Sequence, residues 1–252
     1  MFKRMITILV TMILLITVFP PYYVATVKPS NDAKLFVWEQ APDYYSKEHQ
    51  SHISEVNRLV DAYMLAKSKN ITIKSAGGKL LSVPLYQQET NFWCGPASGQ
   101  MMLSFVTGTL HTQTYLAGLM ETTQASGTFV WKLRRTLNQE IGSSAYQEVG
   151  TWQATFGNDL VYSIDNNKPI VCHVNTRKLP NYATLPPGNP GSGHYVVAIG
   201  YQWGTQGLTG FSNVNYHDPH NSSLHFGTYT TSVSNMVLAI NDNAGFYIRA
   251  TR

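Results

Sequence analysis

Between residues 46 and 68, Ile53, Val56, Leu59, Val60, Tyr63 and Met64 recur at steps of three and four. That period predicts an amphipathic helix whose apolar stripe must cover another surface. A second helix is expected just after Cys94. In GPASGQMMLSFV a proline sits near the start, and Met101, Met102, Phe105 and Val106 fall on one side. Further helical segments are expected at 112–121, 128–139 and 152–163. The alternation in ITIKSAGGKLLSVPL, residues 71–85, predicts a hairpin turning at Gly77-Gly78, where glycine accepts positive φ at no steric cost. In the last third the period changes. PIVCHVN, HYVVAIGYQW, GFSNVNYHDP, HFGTYT and AGFYIRA are β-branched and aromatic and are separated by Gly, Pro and Asn, which predicts an antiparallel sheet. Helices first and strands later give an α+β fold, with the cysteine helix packed on a C-terminal antiparallel sheet.

The N-terminus reads differently. Lys3 and Arg4 precede an apolar run from Met5 to Phe19, the layout of a secretory signal peptide. The run is shorter than the ~20 residues that span a bilayer as a helix, so cleavage near Ala25 is expected, with a retained membrane tether as the alternative. The expected product is secreted. The divisions are a signal peptide at 1–25, a linker, helix and hairpin start at 26–78, and one catalytic domain at 79–252. Without Lys3 and Arg4, the 18 basic residues fall to 16 against 14 acidic, with no basic cluster, so nucleic acid is not an expected partner. Charged residues make up only 13% of a chain rich in Tyr, Ser, Thr, Asn and Gly, which suits a stable extracellular globule.

The chemistry centres on Cys94, one of two cysteines. A disulfide with Cys172 is the one intramolecular pairing available, but Cys172 lies in the strand pattern KPIVCHV, where a free thiol packs as a small hydrophobe. Cys94 sits at the first turn of its helix, where unpaired N–H groups and the dipole favour thiolate, the attacking form. A cysteine nucleophile needs a base. His194 follows a glycine-bearing loop and opens the strand GSGHYVVAIGY, so its ring can meet Cys94 across the cleft between helix and sheet. Asp218, ending the strand in VNYHDPH, is placed to hold the ring in its productive tautomer, with Asn213 and Asn215 as rivals. Gln88, six residues before Cys94, supplies an oxyanion donor together with the Cys94 N–H, with Gln87 as the register rival.

VPLYQQETNFWCGPAS, then GHYVVAIGY, then DP resemble the papain-like cysteine peptidases of the family thirty-nine type, relatives of the double-glycine-leader peptidases of bacteriocin exporters. The resemblance spans roughly residues 80–220 and rests on the three motifs occurring in order. It implies a papain-like fold, a peptide or protein substrate, no cofactor, nucleophile Cys94, base His194, orienting Asp218 and oxyanion donor Gln88. Those leader peptidases are cytoplasmic domains of transporters, whereas this chain reads as an exported, stand-alone and bacterial form, so their substrate does not carry over.

The expected function is therefore an exported cysteine peptidase working through a thioester. Its rivals are an amidase or acyl transferase on cell-wall peptides, and a catalytically silent binding or immunity-type module. His217, His220 and His225 crowd Asp218, but their spacing matches no zinc pattern, so no metal is expected. NIT at 70 and NSS at 221 match glycosylation sequons and read as chance in a bacterial protein. A sharper reading of Gly77-Gly78 makes it a self-processing site, with the 46–68 helix a propeptide covering the cleft.

Overall fold

The computed structural model describes residues 43–70, 76–204 and 211–251. The signal peptide, most of the linker, and the first arm of the expected hairpin lie outside these residues.

Helix α1 (Lys47–Asn70) comes first, then strand β1 (Gly77–Leu80), helices α2 (Cys94–Thr107), α3 (Gln113–Leu119) and α4 (Val130–Ile141), β2 (Tyr146–Gly150) and α5 (Phe156–Asp165). There follow β3 (Ile170–Asn175), two 3₁₀ turns (Thr176–Lys178 and Pro180–Tyr182), β4 (Gly193–Trp203), β5 (Phe211–Asp218), β6 (Gly227–Ser232), α6 (Val233–Asn241) and β7 (Phe246–Ala250). The fold is α+β, with an antiparallel sheet in the order β2-β7-β3-β4-β5-β6. β4 is its spine: β3 pairs with its first half, and β1 continues along the same edge beside its second half. α2 packs on β4 and α4 on β2 and β7, while α5 lies on β3, β4 and β7, and α6 on β3, β5 and β6. The buried interior includes Met101, Met102 and Leu103 of α2, Leu133 and Leu137 of α4, and Val196 and Val197 of β4. Burying each such side chain contributes ~1.5–3 kcal/mol.

Two elements depart from the expected order. β2 is buried along its whole length, Gln147 and Glu148 included, so it lacks the polar alternation that marks a half-exposed strand. α6 interrupts the strand-rich third. Ser232 caps it by accepting from the Asn235 N–H at 3.0 Å, and Met236, Ala239 and Ile240 are buried at helical spacing.

Gly77 and Gly78 do not form a turn. Both lie inside β1, opposite Trp203 and Gln202 of β4. A β-carbon on Gly77 would stand 2.5 Å from the Trp203 ring, and one on Gly78 would stand 2.3 Å from the Tyr201 carbonyl oxygen. Close approach of β4, rather than positive φ, requires glycine here.

α1 is bound into the fold through its own stripe and a polar seam. Ile53, Val56 and Val60 are buried, whereas Leu59 of the expected stripe is exposed. Asn57 Nδ2 donates to the Gln153 carbonyl at 2.7 Å, Tyr63 donates to Asp165 at 2.7 Å, and Lys67 pairs with Asp165. From β7 the fully buried Arg249 reaches back, donating to Asn57 Oδ1, the Ile53 carbonyl, Gln147 and Asp159. These four bonds occupy the two terminal nitrogens of a guanidinium held out of water, while its buried Nε–H finds no acceptor among the described residues.

Candidate active site

The site gathers at one end of β4 and β5. With Val197 opposite His217, Asp218 falls across from Val196, so the strand alternation turns Asp218 and His194 to the same side. His194 Nε2 donates to Asp218 Oδ1 at 2.8 Å, with His194 5% exposed and the aspartate fully buried. The ring is thus fixed with Nδ1 left for Cys94, whose thiol is among the groups that raise the pKa of the imidazole. Cys94 is half-buried at the first position of α2, and no side chain caps that helix, so its first-turn N–H groups face the thiol end.

Electrostatics separates His194 from its neighbour. Burial works against the His194 charge, but the Asp218 carboxylate, its hydrogen bond and then Cys94 outweigh it and push the pKa up to about 10. His173, stacked on Tyr195 at 4.3 Å, is driven down to about 3 by burial and then by the charge of His194. One buried histidine therefore carries the proton and the other stays neutral. Asp218 is held below the usual carboxylate range: burial opposes this, but His194, the Asn181 amide and the His220 N–H prevail.

Cys94, His194 and Asp218 are thus brought together, whereas Asn213 and Asn215 lie further back along β5. Asn215 Nδ2 donates instead to Thr230 at 2.9 Å. Of the two glutamines, Gln88 is buried and Gln87 exposed. Gln87 Nε2 donates to the carbonyls of His220 and Asn221, at 3.3 and 3.0 Å. The Gln88 N–H donates to the Pro219 carbonyl at 2.7 Å, which sets this residue beside the turn that follows Asp218. Its side-chain Nε2 gives one hydrogen to the Thr90 carbonyl at 2.7 Å, which fixes which end of the amide is nitrogen and leaves the second N–H available.

Cys94 and Cys172 are both free thiols, and burial raises the Cys172 pKa far above the usual thiol range. The histidines around Asp218 have ordinary partners. His217 Nε2 donates to the Val83 carbonyl at 2.9 Å while Nδ1 accepts from Thr228, His225 Nδ1 donates to the Asn181 carbonyl at 2.7 Å, and His220 Nδ1 accepts from the Ser222 N–H. Among the described residues no three His, Cys, Asp or Glu side chains group as a metal site.

A model of the Peptidase_C39 like family matches residues 80–240. The chain belongs to that family. Members of the Peptidase_C39 like family include inactive proteins as well as peptidases, so membership supports a cysteine-peptidase type of protein without specifying activity. No curated protein matches the chain. Among solved structures, the chain is similar to the peptidase domain of Streptococcus ComA, a bi-functional ABC transporter involved in a quorum sensing pathway. The two share 18% identity over 68% of this chain and 96% of that one, with a TM-score of 0.40.

One residue of this family member's site was not visible in the sequence. Asn181, in the second 3₁₀ turn, donates Nδ2 to Asp218 Oδ2 at 2.8 Å and to the His225 carbonyl at 3.2 Å, while its Oδ1 accepts from the Tyr216 hydroxyl at 2.7 Å. Beside it Tyr182 stacks on His225 at 4.1 Å and turns edge-on to His194 at 6.3 Å. The 177–192 segment, rich in Pro and Gly, thus folds over the His194–Asp218 pair. An asparagine in such a segment reads as an ordinary turn residue.

Proposed function

We propose that this protein is an exported, bacterial cysteine peptidase that hydrolyses peptide bonds through a thioester on Cys94. The observation that carries the reading is the buried His194–Asp218 pair at 2.8 Å, whose imidazole also feels the Cys94 thiol at the start of α2. The Cys94 sulfur attacks the substrate carbonyl carbon, and the negative oxygen that forms is met by the Cys94 N–H and the second Gln88 Nε2–H. His194, protonated at Nδ1 by the thiol proton, gives that proton to the leaving amine, and the thioester remains. His194 then takes a proton from water, hydroxide adds to the thioester, and the thiolate leaves with the imidazolium restored beside it. Asp218 keeps Nε2–H pointed away from the reaction throughout. Every proton has a donor and an acceptor among these groups and water, so the sequence of steps requires no cofactor.

The test is the pH dependence of Cys94 alkylation by iodoacetamide, read by mass spectrometry, beside a His194→Ala variant. Rapid labelling near pH 6 that the variant abolishes supports the ion pair. Labelling only above about pH 8, unchanged in His194→Ala, means an ordinary thiol and shifts the reading to the silent module.

A further inference from the structure

Gln88 is held by its backbone more than by its side chain. Its Nε2 has the Thr90 carbonyl, but its Oε1 is buried with no hydrogen-bond partner. The aim of the second N–H is thus decided by where the main chain of residues 87–89 stands. That main chain is gripped on both sides of Gln88 by one side chain. Gln113, 2% exposed at the start of α3, donates Nε2 to the Gln87 carbonyl at 2.7 Å and accepts the Glu89 N–H on Oε1 at 2.9 Å. Its second Nε2 hydrogen goes to Gln100 Oε1 at 3.1 Å, and Gln100 Nε2 in turn donates to the His111 carbonyl at 2.7 Å. Neither amide can flip without setting like against like, so the orientation is over-determined. Gln100 lies on α2, the helix that begins with Cys94, so the clamp ties the glutamine strand to the nucleophile's own helix. On the other side, Pro219 accepts the Gln88 N–H.

We infer that Gln113 is a positioning residue that sets Gln88 at oxyanion distance from Cys94 by clamping the backbone on either side of it. The inference rests on the proposed thioester mechanism. A buried glutamine that served only to satisfy the fold would contribute stability; one that aims Gln88 affects turnover while leaving the thiol–imidazole pair intact. Displacing an oxyanion donor by about 1 Å is enough to cost ~10²-fold in rate, close to removing it.

The experiment measures hydrolysis of p-nitrophenyl acetate, which passes through an acetyl thioester on Cys94. It compares wild type, Gln88→Ala, Gln113→Leu and the double variant, with the pH profile of iodoacetamide labelling measured on each. Expected are roughly 10- to 100-fold losses in kcat for both single variants, KM little changed, no further loss in the double variant, and labelling profiles that overlay wild type. Losses that multiply in the double variant, or a labelling profile displaced in Gln113→Leu, overturn the clamp and leave the peptidase reading standing. A wild type that labels at Cys94 yet hydrolyses no ester overturns both. Should Gln113→Leu not fold, Gln113→Glu takes its place. It retains the shape and the acceptor for Glu89, but it cannot donate to the Gln87 carbonyl.

Discussion

Asn181 holds Asp218 by the oxygen that His194 does not use: Nδ2 meets Oδ2 at 2.8 Å while Oδ1 takes the imidazole at 2.8 Å. The carboxylate is thereby kept from rotating, and with it the plane of the imidazole. Asn181→Ala is expected to lower kcat/KM for ester hydrolysis about 10-fold, the scale of one hydrogen bond to a charged group. The slower labelling of Cys94 it should also show separates this role from that of Gln113. Unchanged turnover would mean that the strand ends alone orient Asp218.

The pH dependence of stability follows from His194. A folded-state pKa near 10, above the ordinary 6.5, means that the folded protein binds this proton more tightly than the unfolded chain does. Its stabilising contribution is complete below about pH 6.5 and is lost as pH rises through about 10. Asp218, shifted the other way, contributes above the usual carboxylate range and loses its contribution as pH falls through its depressed pKa. The Tm gap between wild type and His194→Gln should therefore be widest near pH 6 and close toward pH 10. A gap independent of pH across that window would rule the charged pair out.

Arg249→Met should be severe. It leaves Asp159, 1% exposed, with the Tyr247 hydroxyl at 2.5 Å but no cation, and it releases Asn57 and the Ile53 carbonyl of α1. Urea unfolding is expected to show a loss of about 3–5 kcal/mol, with much of it recovered by pairing the change with Asp159→Leu.

Self-processing at Gly77-Gly78 is not expected. The peptide between them lies in a paired strand, and α1 before it is fastened to Arg249, Gln153 and Asp165. Intact-mass analysis of protein that labels at Cys94 should find α1 still attached. A species beginning at Lys79 that remains reactive would restore the propeptide reading.

Gly78→Ala tests the strand itself. With a β-carbon 2.3 Å from a backbone carbonyl, β1 must move off β4. A destabilisation of roughly 1–3 kcal/mol in urea unfolding is the expected result.

The sequence by itself determined what local order can carry. The helical patterns located α1 to α5, the strand composition located β3 to β7, and chain order set Cys94 at a helix start, His194 at a strand start and Asp218 at a strand end. The tertiary structure alone decided the rest. Asn181, Gln113, Gln100 and Arg249 are polar residues with no local signature. Each acts through groups tens of residues away or more, except where Gln100 and Gln113 reach neighbours eleven and thirteen positions off. The glycine pair was misread for the same reason, since what it accommodates is β4, more than a hundred residues further on. Periodicity records which face of an element is buried. It does not record which distant donor meets which acceptor once that face is closed, and burial makes each such match obligatory.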